Sequence, residues 1–134
     1  MLLSFLLQQI KNMAYDEFLA DRLRNVFTEK GVAFKEKKMF AGLCFMVDDK
    51  MCCGIHFDKK KEMDLLMARI GEEASEHVKD KEGCYPMDFT GRPMKGYVFV
   101  DANSFENDED LAFWVQLCID FNPLAKASRK RKKG

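Results

Sequence analysis

Three of the five cysteines and one of the two histidines lie within residues 40–60, FAGLCFMVDDKMCCGIHFDKK. Cys44, Cys52, Cys53 and His56 are the side chains there whose types suit metal ligation or thiol redox chemistry. A structural zinc centre needs about four ligands converging at ~2.0–2.3 Å, usually supplied by paired knuckles of the C-x2-4-C kind. Cys53 and His56 have two intervening residues, but along an extended strand they point to opposite faces. Adjacent Cys52 and Cys53 diverge for the same reason, which argues against a disulfide or joint chelation. Cys44, Cys52 and His56 share a parity and amount to three ligands at most. Cysteine also packs as a small apolar residue. The group reads as hairpin filler, with no metal and no cofactor expected.

The elements that must hold these side chains are two apolar runs separated by Asp48-Asp49-Lys50, a turn composition. A three-residue loop over 48–50 pairs odd positions with odd. It places Leu43, Phe45, Val47, Met51, Cys53, Ile55 and Phe57 on one face, and Cys44, Met46, Cys52, Gly54 and His56 on the other. A one-residue slip would expose half of the apolar set. Cys44, Met46, Cys52 and His56 are not residues that a sheet turns to bulk water. Either a helix covers that second face, or it meets a protein partner, a second copy in a homodimer, or a small ligand. A small-ligand or thiol-redox-responsive module on this face of the 42–57 hairpin is the alternative functional reading.

Around the hairpin, residues 15–30 place Phe18, Leu19, Leu23, Val26 and Phe27 on one helical stripe that Gly31 stops. The lysines of VAFKEKKMF suit an edge strand. EMDLLMARIG reads as a strand, EEASEHVKDKEG as a short polar helix closed by Gly83, and Tyr97 to Val100 as a further strand. NDEDLAFWVQLCIDFNP is a capped helix. Asn107 accepts from its first free amides, and Asp108, Glu109 and Asp110 suit the positive end of the dipole. Leu111, Trp114, Val115, Cys118 and Ile119 form its buried side, and Pro123 ends it. This order predicts an α+β two-layer sandwich: an antiparallel sheet of about five strands flanked by N- and C-terminal helices.

The chain has 134 residues, the size of one domain. Its 22 basic and 22 acidic residues cancel formally, but they are unevenly spread. Lys126, Arg129, Lys130, Arg131, Lys132 and Lys133 crowd the C-terminus; without those six, 16 basic residues face 22 acidic ones, a body near −6. Such a tail attracts phosphate backbones, and without interleaved aromatics its binding would be sequence-blind and weak. At the other end, MLLSFLLQQIKN has an apolar run of about seven residues, against roughly 20 needed to span a bilayer. It also lacks the positive n-region and cleavage site of a signal peptide. With an odd cysteine count, these features lead us to expect a cytoplasmic protein without membrane contact. Residues 1–12 read as an extension before a domain over 13–122, with 123–134 as an unstructured basic tail.

Further sites follow from composition. In MDFTGRPMKG, Gly91 and Gly96 permit positive φ, Pro93 stiffens the turn, and Arg92 and Lys95 offer cationic tips, so the loop is a candidate anion site. It lacks the P-loop pattern. His77 sits beside Glu73 and Glu76 as a surface histidine. There is no Ser-His-Asp order and no HExxH, and the expectation is a non-enzymatic protein.

The segments KKMFAGLCFMVDDKMCCGIHFD, LLMARIG and MDFTGRPMKGYVFVD, followed by an acidic-capped helix containing FWV, resemble in order and spacing the N-terminal domain of the TfoX/Sxy competence-regulator family. The resemblance covers residues 13–122. It implies an antiparallel sheet packed on helices, like that of small secretion-chaperone-like domains. It also implies a regulatory or interaction role linked to transcriptional control of DNA uptake, alongside a catabolite-responsive activator protein. Full-length TfoX-like regulators carry a second, C-terminal domain; here a basic tail follows instead, so competence regulation rests on the resemblance alone.

Overall fold

The computed structural model describes residues 16–39, 42–87 and 94–126. Helix α1 spans Glu17–Glu29; the Asp16 side chain caps it by accepting from the Phe18 amide at 3.0 Å. It ends where Gly31 adopts φ +70°, a conformation that glycine enters without a Cβ penalty. Strands β1 (Lys35–Met39), β2 (Gly42–Val47), β3 (Lys50–Asp58) and β4 (Met63–Arg69) follow as an antiparallel meander. Next come helix α2 (Gly71–Val78), β5 (Cys84–Pro86), β6 (Tyr97–Val100) and a 3-10 turn over Ala102–Phe105. Helix α3 (Asp108–Phe121) starts where Asn107 accepts from the Asp110 amide at 2.8 Å, as the sequence predicts. A second 3-10 turn, Asn122–Leu124, leaves it at Pro123.

The strands form one open sheet in the order β1-β2-β3-β4-β6-β5, every pair antiparallel. The α+β class holds, with six strands rather than about five: Cys84–Pro86 is the addition. Three residues are too few for a two-residue alternation to show. As expected, β1 is the edge, and all five of its residues are exposed.

Helices α1, α2 and α3 contribute to a single core on one face of the sheet. Leu19, Leu23 and Phe27 from α1, Val78 from α2, and Leu111, Trp114, Val115 and Cys118 from α3 meet Leu43, Phe45, Ile55, Leu66 and Val100. Phe27, Phe34 and Phe45 pack ring on ring, with centroids 5.2–5.7 Å apart. The helical stripe needs one correction: Phe18 is 71% exposed, and Ala20, fully buried, takes its place against the core. Phe18 instead lines a surface cleft beside Met63 and Asp64 of β4, while the next residue, Leu19, enters the core.

The opposite face carries a second apolar cluster of Leu65, Met67, Met87 and Phe99, with Met51, Met63, Tyr85 and Tyr97 packed against it. None of the three described α-helices contributes to it.

Candidate functional site

The β2–β3 hairpin holds most of the sequence candidates, and its register departs from the expected one. Asp48 and Asp49 both adopt positive φ (57° and 63°), and Val47 pairs with Lys50. The loop is therefore a two-residue turn of the left-handed kind that fits the twist of a hairpin, and aspartate tolerates that conformation. A two-residue turn alone would put Cys53, Ile55 and Phe57 on the wrong side. The structure restores their side with a bulge: Met46 faces Met51, but Phe45 faces Cys53, leaving Cys52 as the extra residue.

The bulge exchanges two side chains. Met51, expected in the core, packs with the second cluster, while Cys52, expected on the second face, turns into the core. Cys52 and Cys53 thus point to the same side instead of diverging. Both thiols lie against that of Cys118, which α3 delivers from above. The expectation of scattered sulfur atoms is overturned for these three. Among the described residues no group of three or more His, Cys, Asp or Glu side chains is arranged to hold a metal ion.

The three thiols are not equivalent. Contact with Cys118 and then Cys53, which donate to it, holds Cys52 well below the ordinary thiol range, and the nearby Arg69 guanidinium adds to this. Cys53 is driven well above that range by its thiol neighbours and by enclosure, and Cys118 by burial first. Arg69 is fixed over the bulge: Nη1 donates to the Met51 carbonyl at 3.4 Å and Nη2 to the Lys126 carbonyl at 3.1 Å. Its guanidinium also lies 5.4 Å from the Tyr97 ring centre. Sequence reading missed Arg69 and the role of Cys118. The available signal was Asp48-Asp49, whose tolerance of positive φ at both positions favours the tighter turn.

The other hairpin candidates stay on the second face. Cys44 is buried, its Sγ 3.5 Å from the Met46 Sδ, and burial pushes its thiol up to about 11. The His56 ring stacks on Phe99 at 5.3 Å and 16°, and burial lowers its pKa. Gly54 keeps this layer thin, because a Cβ there would come within 2.7 Å of both the Leu43 carbonyl oxygen and the Met67 Cε.

In the candidate anion loop, Lys95 is exposed while Arg92 lies outside the described residues. Lys95 borders a groove of about 560 Å³ between α2 and the β5–β6 pair, which Glu72, Glu76, Lys79, Asp80 and Tyr85 also line. Both cations and carboxylates line it, and Lys79 is paired with Glu76 at 2.9 Å. Within the basic tail, Lys126 is described and its carbonyl holds Arg69; Arg129, Lys130, Arg131, Lys132 and Lys133 lie outside the described residues. His77 is exposed, as expected. No described helix is long and apolar enough to cross a membrane.

An open six-stranded antiparallel sheet with α-helices packed on one face defines a small α+β domain. The chain belongs to the TfoX N-terminal domain family, whose match runs over residues 28–122 and so takes in every described strand. The chain matches no curated protein and no solved structure.

Proposed function

We propose that this chain is a non-enzymatic regulatory domain that acts through protein contacts, with its basic tail adding weak, sequence-independent nucleic-acid affinity. The observation that carries the reading is the family match over residues 28–122, because the competence regulators of that family are linked to transcriptional control. The second face supports it. Met46, Met51, Met63, Tyr85 and Tyr97 are only half-buried there, and methionine and aromatic side chains are enriched at protein interfaces.

The division of labour is testable by separating tail from body. Truncation belongs after Lys126, because Ala125 is buried and the Lys126 carbonyl accepts from Arg69. Deleting residues 127–134 removes Arg129, Lys130, Arg131, Lys132 and Lys133. Retention of the full chain on duplex DNA should fall with log salt at a slope of about −4 to −5, as for four to six phosphates engaged. The truncated chain should keep the circular-dichroism spectrum of the fold and lose that retention. Salt-independent binding by the truncated chain would refute the assignment. On the body, Met63→Lys should weaken recovery of a protein that co-purifies with the untagged chain; undiminished recovery counts against the second face as the contact.

A further inference from the structure

The juxtaposition of three thiols in the core has no part in a protein-contact role. We propose that Cys52 and Cys118 form a peroxide-responsive pair that closes to a disulfide between the β3 bulge and helix α3. The inference stands independently of the regulatory reading, since it rests on the bulge alone.

The geometry selects the pair. Cys52 is the extra residue of the bulge, and its side chain reaches the thiol of Cys118 across the strand–helix interface. A bond between Cys52 and Cys53 is disfavoured. Consecutive Cα atoms sit ~3.8 Å apart across a trans peptide, shorter than the ~4.4–6.8 Å that disulfides ordinarily span. Cys53 and Cys118 are fully enclosed (0% exposed), whereas Cys52 lies next to half-buried Met51 and under the Arg69 side chain. The neighbouring S–H donors of Cys118 and Cys53, and after them the Arg69 guanidinium, favour its thiolate, the form that reacts with oxidants. At 1% exposure Cys52 is closed to bulky disulfides. The oxidant is therefore a small two-electron acceptor, hydrogen peroxide.

The step balances. The Cys52 thiolate attacks one peroxide oxygen, the O–O bond breaks, and the products are Cys52 sulfenic acid and hydroxide. The Cys118 sulfur then attacks the Cys52 sulfur; the S–S bond forms and the sulfenic hydroxyl leaves as water with the Cys118 proton. Overall, two thiols and one peroxide give one disulfide and two waters. The product would lock α3 onto the sheet beside the point where Arg69 holds the C-terminal segment.

Tryptic peptides read the outcome directly. Residues 51–59 carry Cys52 and Cys53, 96–126 carry Cys118, 39–50 carry Cys44, and 82–95 carry Cys84, since trypsin passes over Arg92-Pro93. The reduced full-length chain is treated with hydrogen peroxide, unfolded in alkylating agent, digested and mapped by mass spectrometry. The expected product is a 51–59 to 96–126 cross-link that dithiothreitol removes, with Cys44 and Cys84 recovered alkylated. Cys53→Ala should retain the cross-link, and Cys52→Ala should reduce it at least about tenfold, as loss of the reacting thiolate requires. Full alkylation of Cys52 and Cys118 in the wild type after peroxide overturns the proposal. So does a cross-link that survives Cys52→Ala, or first oxidation at Cys44 or Cys84. If a variant fails to fold, fragmentation of the wild-type cross-link decides the matter: the remaining alkylated thiol must be Cys53, and alkylation at Cys52 instead overturns the proposal.

Discussion

Asp64, near the start of β4, lines a cleft of about 300 Å³ that Asp16, Arg22 and Phe105 also border. Its Oδ1 is buried with no hydrogen-bond partner, and burial, with the Asp16 carboxylate beside it, pushes the group up to about 6. Arg22 does not relieve it, because that guanidinium donates to the Phe105 carbonyl at 2.9 Å and to Asp108. Below the ordinary range, near 3.8, folded and unfolded chains both hold the proton and nothing is lost. As pH climbs from there to about 6, the unfolded chain ionises first and stability falls; above that the folded chain carries the full cost of a poorly solvated charge. A rise from 3.8 to about 6 sets a ceiling of ~3 kcal/mol. Asp64 is only half-buried, so solvent screening brings the realistic figure to about 1 kcal/mol. Asp64→Asn removes the charge while keeping the shape. At pH 7 the variant should melt roughly 3–6 °C above the wild type, and at pH 4 the two should coincide. Thermal unfolding followed by circular dichroism at both pH values measures this. A variant that is less stable at pH 7, or equally improved at both, would show that the carboxylate is not strained by its surroundings.

Two further substitutions check packing and capping. Gly54→Val drives side-chain carbon into the Leu43 backbone and the Met67 side chain, where a Cβ already meets atoms at 2.7 Å. It should cost at least ~2 kcal/mol in urea unfolding, and a loss below about 0.5 kcal/mol would mean the layers part freely. Asn107→Ala removes the acceptor for the Asp110 amide at the start of α3. The expected loss is about 1 kcal/mol, most of which Asn107→Asp should restore.

Much of the fold was legible because its signals are local. The α3 cap, the Gly31 stop, the lysine-rich edge of β1 and the strand over Met63–Arg69 all depend on neighbouring residues. The family was legible too, from segments whose order and spacing the chain keeps over residues 28–122. The candidate site was only half legible. Cys44, Met46 and His56 fall on the face that parity assigns them, since Met46 pairs with Met51 and Cys44 with Gly54 across the hairpin. Cys52 does not, because parity counts residues and a bulge adds one. Where that residue goes is settled by the left-handed turn at Asp48-Asp49 on one side and the packing of β3 under α3 on the other. Cys118, 65 positions away from Cys53 in the chain, becomes its neighbour only when the helix lands on the sheet. Spacing along the chain thus determined which residues form helices and strands and which side most of them bury. Which sulfur atoms touch was decided by tertiary packing, since a contact between distant elements requires both the local register and the docking of one layer on another.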